Sequence, residues 1–368
     1  MTPPAGTHGF GIVGTGTIAA MHADAIAALP SARLAAVTDV DASAAAAFAA
    51  SRGTAAERDL DALLARSDVD VVCVCVPSGQ HAEVGLRAVK AGKHLAVEKP
   101  VDVTLEAADR LIGAARDAGV ALTVISQHRF DAGLIEARRL IDEGALGRLV
   151  LGEASTKWYR SQAYYDSAAW RGTWAMDGGS LLNQGIHYVD LLRWCMGPVA
   201  EVTAVCTTQA HQIEAEDTSL AIVRFTSGAV GTIMSSTAAF PGFPQRLEIT
   251  GTKGTVIVED GQLVSRAFKD DAQPADGGGQ QPADGSGQHP ADDGAQSADG
   301  GPGPGSGAAA DPAVLDFSGH AAQLADLLAA IDEGRAPAVD GEAGRAALEI
   351  VCAVYESSRS GRTVTLRS

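Results

Sequence analysis

Two segments carry side chains that could move a proton at a substrate hydroxyl, and the first of them contains Lys99. Glu98-Lys99-Pro100 directly follows His94–Val97, an apolar run that is typical of a buried strand. Ligands of open α/β folds bind at the carboxyl ends of such strands. A partly desolvated lysine there can donate a hydrogen bond to a substrate oxygen, or its pKa can shift towards neutrality. The alternative is a surface lysine in a turn before proline.

The second segment spans residues 177–190 and contains His187. Its two glycines followed by Ser180 indicate the start of a helix, on which Asn183 and His187 are four residues apart and share one face. Asp190, three residues further on, is close enough to that face to orient the imidazole. An imidazole with an ordinary pKa of about 6.5 suits the removal of a hydroxyl proton while a hydride departs. The alternative is a helix histidine that a neighbouring polar group satisfies.

A glycine-rich turn lies near the start of the chain. Residues 10–13 form an apolar run typical of a buried strand, and Gly14-x-Gly16-x-x-Ala19 follows, with apolar residues at helical spacing beyond it. Gly14 permits the tight turn, Gly16 lets the backbone approach phosphates, and Ala19 allows close helix–strand packing. Backbone N–H groups at the positive end of the helix can bind a pyrophosphate. The turn therefore predicts a dinucleotide site.

The second predicted strand, at residues 33–38, ends directly before Asp39. A carboxylate at this position can accept hydrogen bonds from both hydroxyls of a ribose, and it repels a 2′-phosphate. No lysine or arginine follows until Arg52. These features favour NAD over NADP. The alternative for Asp39 is a cap on the helix that starts near Asp41.

Two kinds of sheet are predicted along the chain. Short strand–helix units, including the continuous apolar run at 70–76, favour a doubly wound parallel α/β sheet over residues 1–126. A second, α+β domain is predicted at 127–368. Strand-like runs between 202 and 258 favour an open, mostly antiparallel sheet, with helices on one face at 181–195, 321–333 and 342–358. The uncovered face predicts a homodimer or a homotetramer.

The composition excludes several classes of protein. The chain has 368 residues, of which 46% are hydrophobic and 20% are charged, as in a globular enzyme of two domains. The net charge of −17 disfavours nucleic acid and anionic membranes as partners. The five cysteines include no CxxC pair, so we expect reduced thiols in a cytoplasmic protein and no metal site. We also expect no signal peptide and no membrane-spanning segment.

One segment, at 270–312, differs from the rest of the chain. Between Asp270 and Asp311 there are eight aspartates and no lysine or arginine, and Pro-Ala-Asp recurs at 274, 282 and 290. With almost no apolar side chains, the segment cannot offset the entropy that ordering would cost. We therefore predict a disordered low-complexity insertion.

Four motifs occur in an order and at separations that resemble one family. They are Gly-Thr-Gly-Thr-Ile-Ala at 14–19, Pro-Ser-Gly-Gln-His at 77–81, Glu-Lys-Pro at 98–100 and Asn-Gln-Gly-Ile-His at 183–187. Nearly end to end, the chain resembles the glucose–fructose oxidoreductase / inositol dehydrogenase / MocA family of sugar dehydrogenases. The resemblance implies a Rossmann domain that binds NAD and a carbohydrate substrate. It also implies that Lys99 is the catalytic lysine and His187 the usual proton acceptor.

The same resemblance implies which residues surround the cofactor. They are Gly14, Gly16, Thr17 and Ile18 in the glycine loop, Asp39, and Pro77, Ser78, His81, Glu98, Lys99 and Gln127. One departure concerns the mechanism, because several family members have aspartate four residues before the histidine, where this chain has Asn183. An amide can hydrogen-bond the substrate or His187, but it cannot stabilise an imidazolium by charge. Lys99 and His187 therefore both stay candidates for the main proton acceptor.

Arginines and aromatic residues cluster between residues 157 and 174. This segment is similar to one in a subgroup that acts on nucleotide-linked aminosugar uronates. Arg160 and Arg171 could pair with a carboxylate or phosphate, and Tyr164 or Trp170 could stack on a ring. Arg129, at the domain junction, is a further candidate for substrate binding, together with Asn183 and His187. The alternative is that the cluster lines an oligomer interface or the core.

Three functions follow from these residues. The leading hypothesis is an NAD-dependent dehydrogenase that oxidises a secondary hydroxyl of a sugar, sugar acid or nucleotide sugar. The second is an inositol-type enzyme or an oxidoreductase that recycles a tightly held NAD. The third is a dinucleotide- or sugar-sensing regulator of the same fold. Retention of both Lys99 and His187 argues against a regulator, because a sensor does not need a proton acceptor.

Overall fold

Two β-sheets organise the chain, one in each half. The computed structural model describes residues 7–269 and 316–366. The insertion predicted at 270–312 lies outside the described residues. Among the helices that are described, none is long and apolar enough to cross a lipid bilayer.

The first sheet is parallel throughout and has the strand order β3-β2-β1-β4-β5-β6. This confirms the predicted doubly wound fold. Its strands are β1 (His8–Val13), β2 (Ala32–Thr38), β3 (Ala55–Ala56), β4 (Val71–Val74), β5 (His94–Val97) and β6 (Leu122–Val124). Its helices are α1 (Thr17–Ala27), α2 (Ala42–Arg52), α3 (Leu60–Leu64), α4 (His81–Lys90) and α5 (Leu105–Ala118).

The turn between β1 and α1 requires glycine at its first position. Gly14 has a φ of +91°, and a Cβ added there would lie 2.5 Å from the carbonyl oxygen of Cys75, just beyond β4. A Cβ on Gly16 would meet open space, so the backbone at the start of α1 is accessible from outside. The turn therefore brings β1 and β4 together and leaves the end of α1 exposed.

The second sheet has the order β13-β12-β11-β7-β10-β9-β8-β14, and all of its neighbours are antiparallel except β7 and β10. The predicted mostly antiparallel sheet is thus confirmed. Its strands are β7 (Leu149–Lys157), β8 (Val199–Thr207), β9 (Thr218–Phe225), β10 (Val230–Ser236), β11 (Arg246–Gly251), β12 (Gly254–Glu259), β13 (Gln262–Phe268) and β14 (Val364–Thr365). The helices of this half are α6 (Ala132–Asp142), α7 (Gln162–Asp166), a π-helix (Leu181–Gly185), α8 (Ile186–Met196), α9 (Ser318–Glu333) and α10 (Gly341–Ser360).

The two faces of the second sheet differ. One face packs against α6, α8 and α10. The opposite face exposes large apolar side chains on adjacent strands, among them Val205, Leu220 and Ile222. The alternation of buried and exposed residues along β9 has the period of two that strand geometry imposes.

The prediction that α9 covers the second sheet was wrong. This helix packs instead on α1 of the first sheet, where Leu324, Leu327 and Leu328 join the buried cluster around Ile26. Gln323 fixes α9 to β6, since its Nε2 donates to Thr123 Oγ1 and to the carbonyl of Val124, both at 2.8 Å. The apolar stripe of α9 was recognisable in the sequence, but its partner was not.

Candidate active site

The start of α1 offers backbone donors to a ligand. Gly16 and Thr17 are exposed at this helix end, and no side chain caps it within the described residues. Beside it, both oxygens of Asp39 lie at the end of β2. One accepts from Thr15 N–H at 2.6 Å and from Thr15 Oγ1 at 2.9 Å, and the other accepts from Asp41 N–H at 3.0 Å. An uncapped helix end, an open glycine and a carboxylate after the second strand fit a dinucleotide.

Replacing Asp39 with alanine should raise KM for NAD about tenfold, because hydrogen bonds to a charged group contribute roughly 1.5–3 kcal/mol. The same change should narrow the preference for NAD over NADP, since the repulsion of a 2′-phosphate is removed. Initial rates with each cofactor measure both effects. The matched control is Asp41→Ala, because Asp41 caps α2 through Ser43 N–H and Ala44 N–H. The control should lower the melting temperature and leave KM unchanged; equal KM effects of the two variants would contradict the assignment.

A cavity of about 220 Å³ lies where the carboxyl ends of β4 and β5 face the second half of the chain. Most of the side chains predicted for cofactor and substrate line it. Its lining comprises Ile18, Val76, Pro77, Ser78, His81, Glu98, Lys99, Gln127, His128, Trp158, Arg160, Tyr164, Trp170, Asp177, Asn183, Gln184, His187 and His320. The structure thus brings Lys99 and His187 together from segments almost ninety residues apart.

Lys99 follows β5 and reaches across to the π-helix. Its Nζ donates to the carbonyl oxygen of Asn183 at 2.6 Å, and its backbone N–H donates to Oε2 of Glu98 at 3.1 Å. Burial lowers the pKa of the Lys99 ammonium. A lysine held in this way can donate to a substrate oxygen at the cavity wall.

His187 is presented by the first turn of α8, directly after the π-helix. Burial lowers its pKa well below the ordinary value, and the positive charge of Lys99 acts in the same direction. The ring of His128 meets that of His187 edge to face, with centroids 5.1 Å apart. The imidazole is therefore neutral at pH 7 and able to accept a proton.

Asp190 and Arg129, both candidates from the sequence, form a buried ion pair with each other. Both oxygens of Asp190 accept from Arg129, with Nε at 2.7 Å and Nη2 at 2.5 Å, and the guanidinium also lies over the ring of Trp194. Neither residue lines the cavity. The described residues show no hydrogen bond between Asp190 and His187, although both line a small pocket with Lys99.

Asp177 places a carboxylate next to Asn183, the position at which several family members have aspartate. The side-chain amide of Asn183 donates to Oδ1 of Asp177, and the Gly172 N–H donates to Oδ2 at 2.8 Å. Burial raises the pKa of Asp177. No pattern in the sequence assigns a role to Asp177, because it lies in an irregular segment ahead of the helix. No individual role was predicted for four other residues that also line the cavity, namely Trp158, His128, Gln184 and His320.

The predicted substrate cluster divides between two cavities. Arg160, Tyr164 and Trp170 line the cavity that contains Lys99, and the Arg160 guanidinium stacks over Trp158 at 4.9 Å from the ring centroid. Arg171 instead lines a neighbouring, more open cavity of about 490 Å³. Its Nη1 donates to the Tyr164 hydroxyl at 2.7 Å, so Tyr164 connects the two cavities.

His81 holds the loops around the cavity together. Its Nδ1 is 2.7 Å from the carbonyl oxygen of Pro100, and its Nε2 is 2.8 Å from that of Val76. These contacts join the loop after β4 to the loop after β5. Pro77, Ser78 and Gln127 lie at the cavity wall where the resemblance placed the nicotinamide.

Comparison with known families accounts for most of the described chain. Residues 8–126 match the oxidoreductase family with an NAD-binding Rossmann fold, and residues 134–257 match the GFO/IDH/MocA C-terminal domain. Inositol 2-dehydrogenase from Rhizobium meliloti is 31% identical over 70% of this chain and 77% of its own length. Myo-inositol 2-dehydrogenase from Thermotoga maritima is 29% identical over 68% of this chain and 75% of its own length.

Solved structures give a likeness over almost the full length. The WlbA dehydrogenase from Bordetella pertussis, in complex with NADH and UDP-GlcNAcA, superimposes with a TM-score of 0.81 at 30% sequence identity. The superposition covers 98% of this chain and 99% of the other.

Proposed function

The chain belongs to the GFO/IDH/MocA family of NAD-dependent sugar dehydrogenases, and on this basis we propose that it oxidises a secondary hydroxyl of a nucleotide-linked sugar acid. The observation that carries the choice of substrate is the arginine–aromatic cluster beside Lys99 and His187. Arg160, Tyr164 and Trp170 share their cavity with the two candidate catalytic residues.

The chain's own residues can carry out the proton chemistry. NAD, when bound, supplies the hydride acceptor. His187 is neutral at pH 7 and accepts the proton of the substrate hydroxyl, while Lys99 donates a hydrogen bond to the same oxygen as it becomes a carbonyl. Asn183 positions Lys99 through its backbone carbonyl. Gly14, Gly16, Thr17, Ile18 and Asp39 would hold the dinucleotide, with Pro77, Ser78, Glu98 and Gln127 at its nicotinamide end.

Two anionic groups of a nucleotide-linked sugar acid match the two arginines. Guanidinium groups bind carboxylates and phosphates in a bidentate manner, and aromatic rings stack on sugars and bases. Arg160 lies in the inner cavity and Arg171 in the outer one, with Tyr164 between them. A substrate that spans both cavities would place its sugar near Lys99 and its diphosphate towards Arg171. An inositol is the second candidate, favoured by the likeness to inositol 2-dehydrogenases.

A panel of substrates separates these candidates. Reduction of NAD is followed at 340 nm with UDP-GlcNAcA, free glucuronate, glucose and myo-inositol. We expect the highest kcat/KM with UDP-GlcNAcA and a lower value with the free acid, which lacks the diphosphate. Turnover of myo-inositol alone would contradict the nucleotide-sugar proposal. If NAD remained bound through gel filtration and no added NAD were needed, the enzyme would recycle a tightly held cofactor instead.

We also propose that a second copy of the chain covers the exposed face of the second sheet. Val205, Leu220 and Ile222 form the centre of an apolar area on β8 and β9, and Leu151 and Val230 extend it. Areas of this kind on a sheet mark interaction surfaces. Light scattering on the purified protein should therefore give the mass of a homodimer or homotetramer, and a monomer at micromolar concentration would exclude this role.

A further inference from the structure

We propose that His320, on α9, is a further cofactor-binding residue, which hydrogen-bonds a hydroxyl of the ribose on the nicotinamide side of NAD. The motifs of the glycine loop and the catalytic pair do not involve α9. The inference rests on the NAD-binding half of the proposed function and is independent of the sugar substrate.

His320 is a buried imidazole with unused polar atoms. The residue is 2% exposed, and neither ring nitrogen has a hydrogen-bond partner among the described residues. Its nearest acidic neighbour is Glu98, whose Oε1 lies 3.6 Å from Nε2, which is longer than a hydrogen bond. Buried polar groups in folded proteins are nearly always paired, so an unpaired one at a cavity wall points to a ligand that completes it.

Glu98, next to His320, is fixed on two sides. Its Oε1 accepts from Nε2 of His22 on α1 at 2.8 Å, and its Oε2 accepts from the Lys99 N–H at 3.1 Å. Burial alone would raise the pKa of Glu98, but the interactions with His22 and His320 together outweigh it and hold that pKa well below the ordinary value. The carboxylate is therefore ionised. A fixed carboxylate beside an imidazole with free nitrogens can accept from and donate to the hydroxyls of a vicinal diol.

The place of His320 along the cavity identifies the diol. The dinucleotide site begins at the start of α1, and the chemistry takes place at Lys99 and His187. Ile18, in the first turn of α1, lines the same cavity as His320 and Lys99. In NAD the second ribose stands between the pyrophosphate and the nicotinamide. That ribose is thus the diol expected beside His320 and Glu98.

A metal ion is the competing ligand. His22, Glu98 and His320 each offer one ligand atom, and the three atoms lie within 4.8 Å of one another. However, Nε2 of His22 is already in direct hydrogen-bond contact with Glu98 at 2.8 Å, and a metal ion would have to break that contact. The geometry therefore favours the ribose, and a bound metal is one outcome of the test.

Fragments of the cofactor test the assignment directly. ADP ends at the pyrophosphate, ADP-ribose adds the second ribose, and NADH adds the nicotinamide. Calorimetric titration of wild type and His320→Leu with all three should show about tenfold weaker binding of ADP-ribose and NADH in the variant, the loss expected for one hydrogen bond. Binding of ADP should not change. His320→Gln, whose amide can still donate and accept, should recover part of the affinity.

The control variant lies one turn further along the same helix. Gln323→Met removes the hydrogen bonds that fix α9 to β6, so it should lower the melting temperature and leave the ratio of ADP-ribose to ADP affinity unchanged. The proposal is overturned if His320→Leu weakens ADP as much as ADP-ribose, or weakens neither. It is also overturned if the wild type carries one equivalent of metal that the variant loses. If the leucine variant does not fold, the affinities of His320→Gln for ADP and ADP-ribose are compared with those of wild type instead.

No sugar is present in these titrations. A negative result would therefore contradict the role of His320 without contradicting the proposed dehydrogenase activity. Conversely, absence of activity on every sugar tested would leave the ribose contact measurable.

Discussion

Replacing Lys99 with methionine should lower kcat about 10²–10⁴-fold, the range by which a positioned proton donor or acceptor accelerates a reaction. Methionine keeps most of the buried stem and removes the ammonium that donates to Asn183. The affinity for NADH should change less than threefold, because the dinucleotide is held mainly by the start of α1 and Asp39. Steady-state rates with the substrate from the panel, together with NADH titration, measure the two effects.

Lys93 provides the matched control. Its Nζ donates to the carbonyls of Arg66 and Val69 at 2.9 and 2.8 Å, in the same half of the chain but away from the cavity. Lys93→Met should lower the melting temperature and leave kcat within twofold of wild type. If Lys99→Met kept near wild-type turnover while remaining folded, Lys99 would have no part in the chemistry.

Replacing His187 with glutamine should lower kcat/KM by a similar factor and remove the acidic limb of the pH profile. The folded-state pKa of His187 lies well below its ordinary value, so the neutral, proton-accepting form predominates above that ordinary value and persists below it. Wild-type kcat/KM for sugar oxidation should therefore stay level as the pH falls from 8 to about 6.5, the pKa of an unperturbed histidine. It should decline only at lower pH, where the imidazole is protonated.

His94→Gln is the control for this profile. Burial also lowers the pKa of His94, but its Nδ1 accepts from the Ala121 N–H and the residue does not line the cavity. The acidic limb should be unchanged in that variant. An acidic limb that survived in His187→Gln would show that another group accepts the proton, with Lys99 the first candidate because its own pKa is lowered.

The predictions that succeeded rest on local patterns. The glycine turn, the strand ending at Asp39 and the tripeptide after β5 each lie within one strand–turn unit, so the parallel fold fixes where their side chains go. Lys99 follows from one such unit, because ligands bind at the carboxyl ends of parallel strands, whereas His187 follows from helical spacing in the second half of the chain. The structure places both side chains at one cavity, and their catalytic roles stay predictions.

The features that the sequence did not predict depend on contacts between distant residues. Helical spacing places Asp190 near His187, but it does not reveal that Arg129, 61 residues earlier, occupies both carboxylate oxygens. Asp177 lies in an irregular segment, and the apolar stripe of α9 does not indicate that His320 faces a cavity. Their roles become visible only when burial and unpaired atoms can be seen. The position of α9 was not predicted for the same reason, because an apolar stripe shows that a helix is packed but not which element it packs against.

The docking of α9 on α1 has a consequence for how the protein is divided. Residues 1–126 contain the whole parallel sheet, yet Leu324, Leu327 and Leu328 complete the apolar layer over Ile26, and Gln323 satisfies polar groups of β6. If residues 1–126 were expressed alone, an apolar groove on α1 would be exposed to water and buried hydrogen-bond donors would lose their acceptors. Residues 1–126 therefore do not form an independent unit. A chimeric protein that contains them must also contain α9.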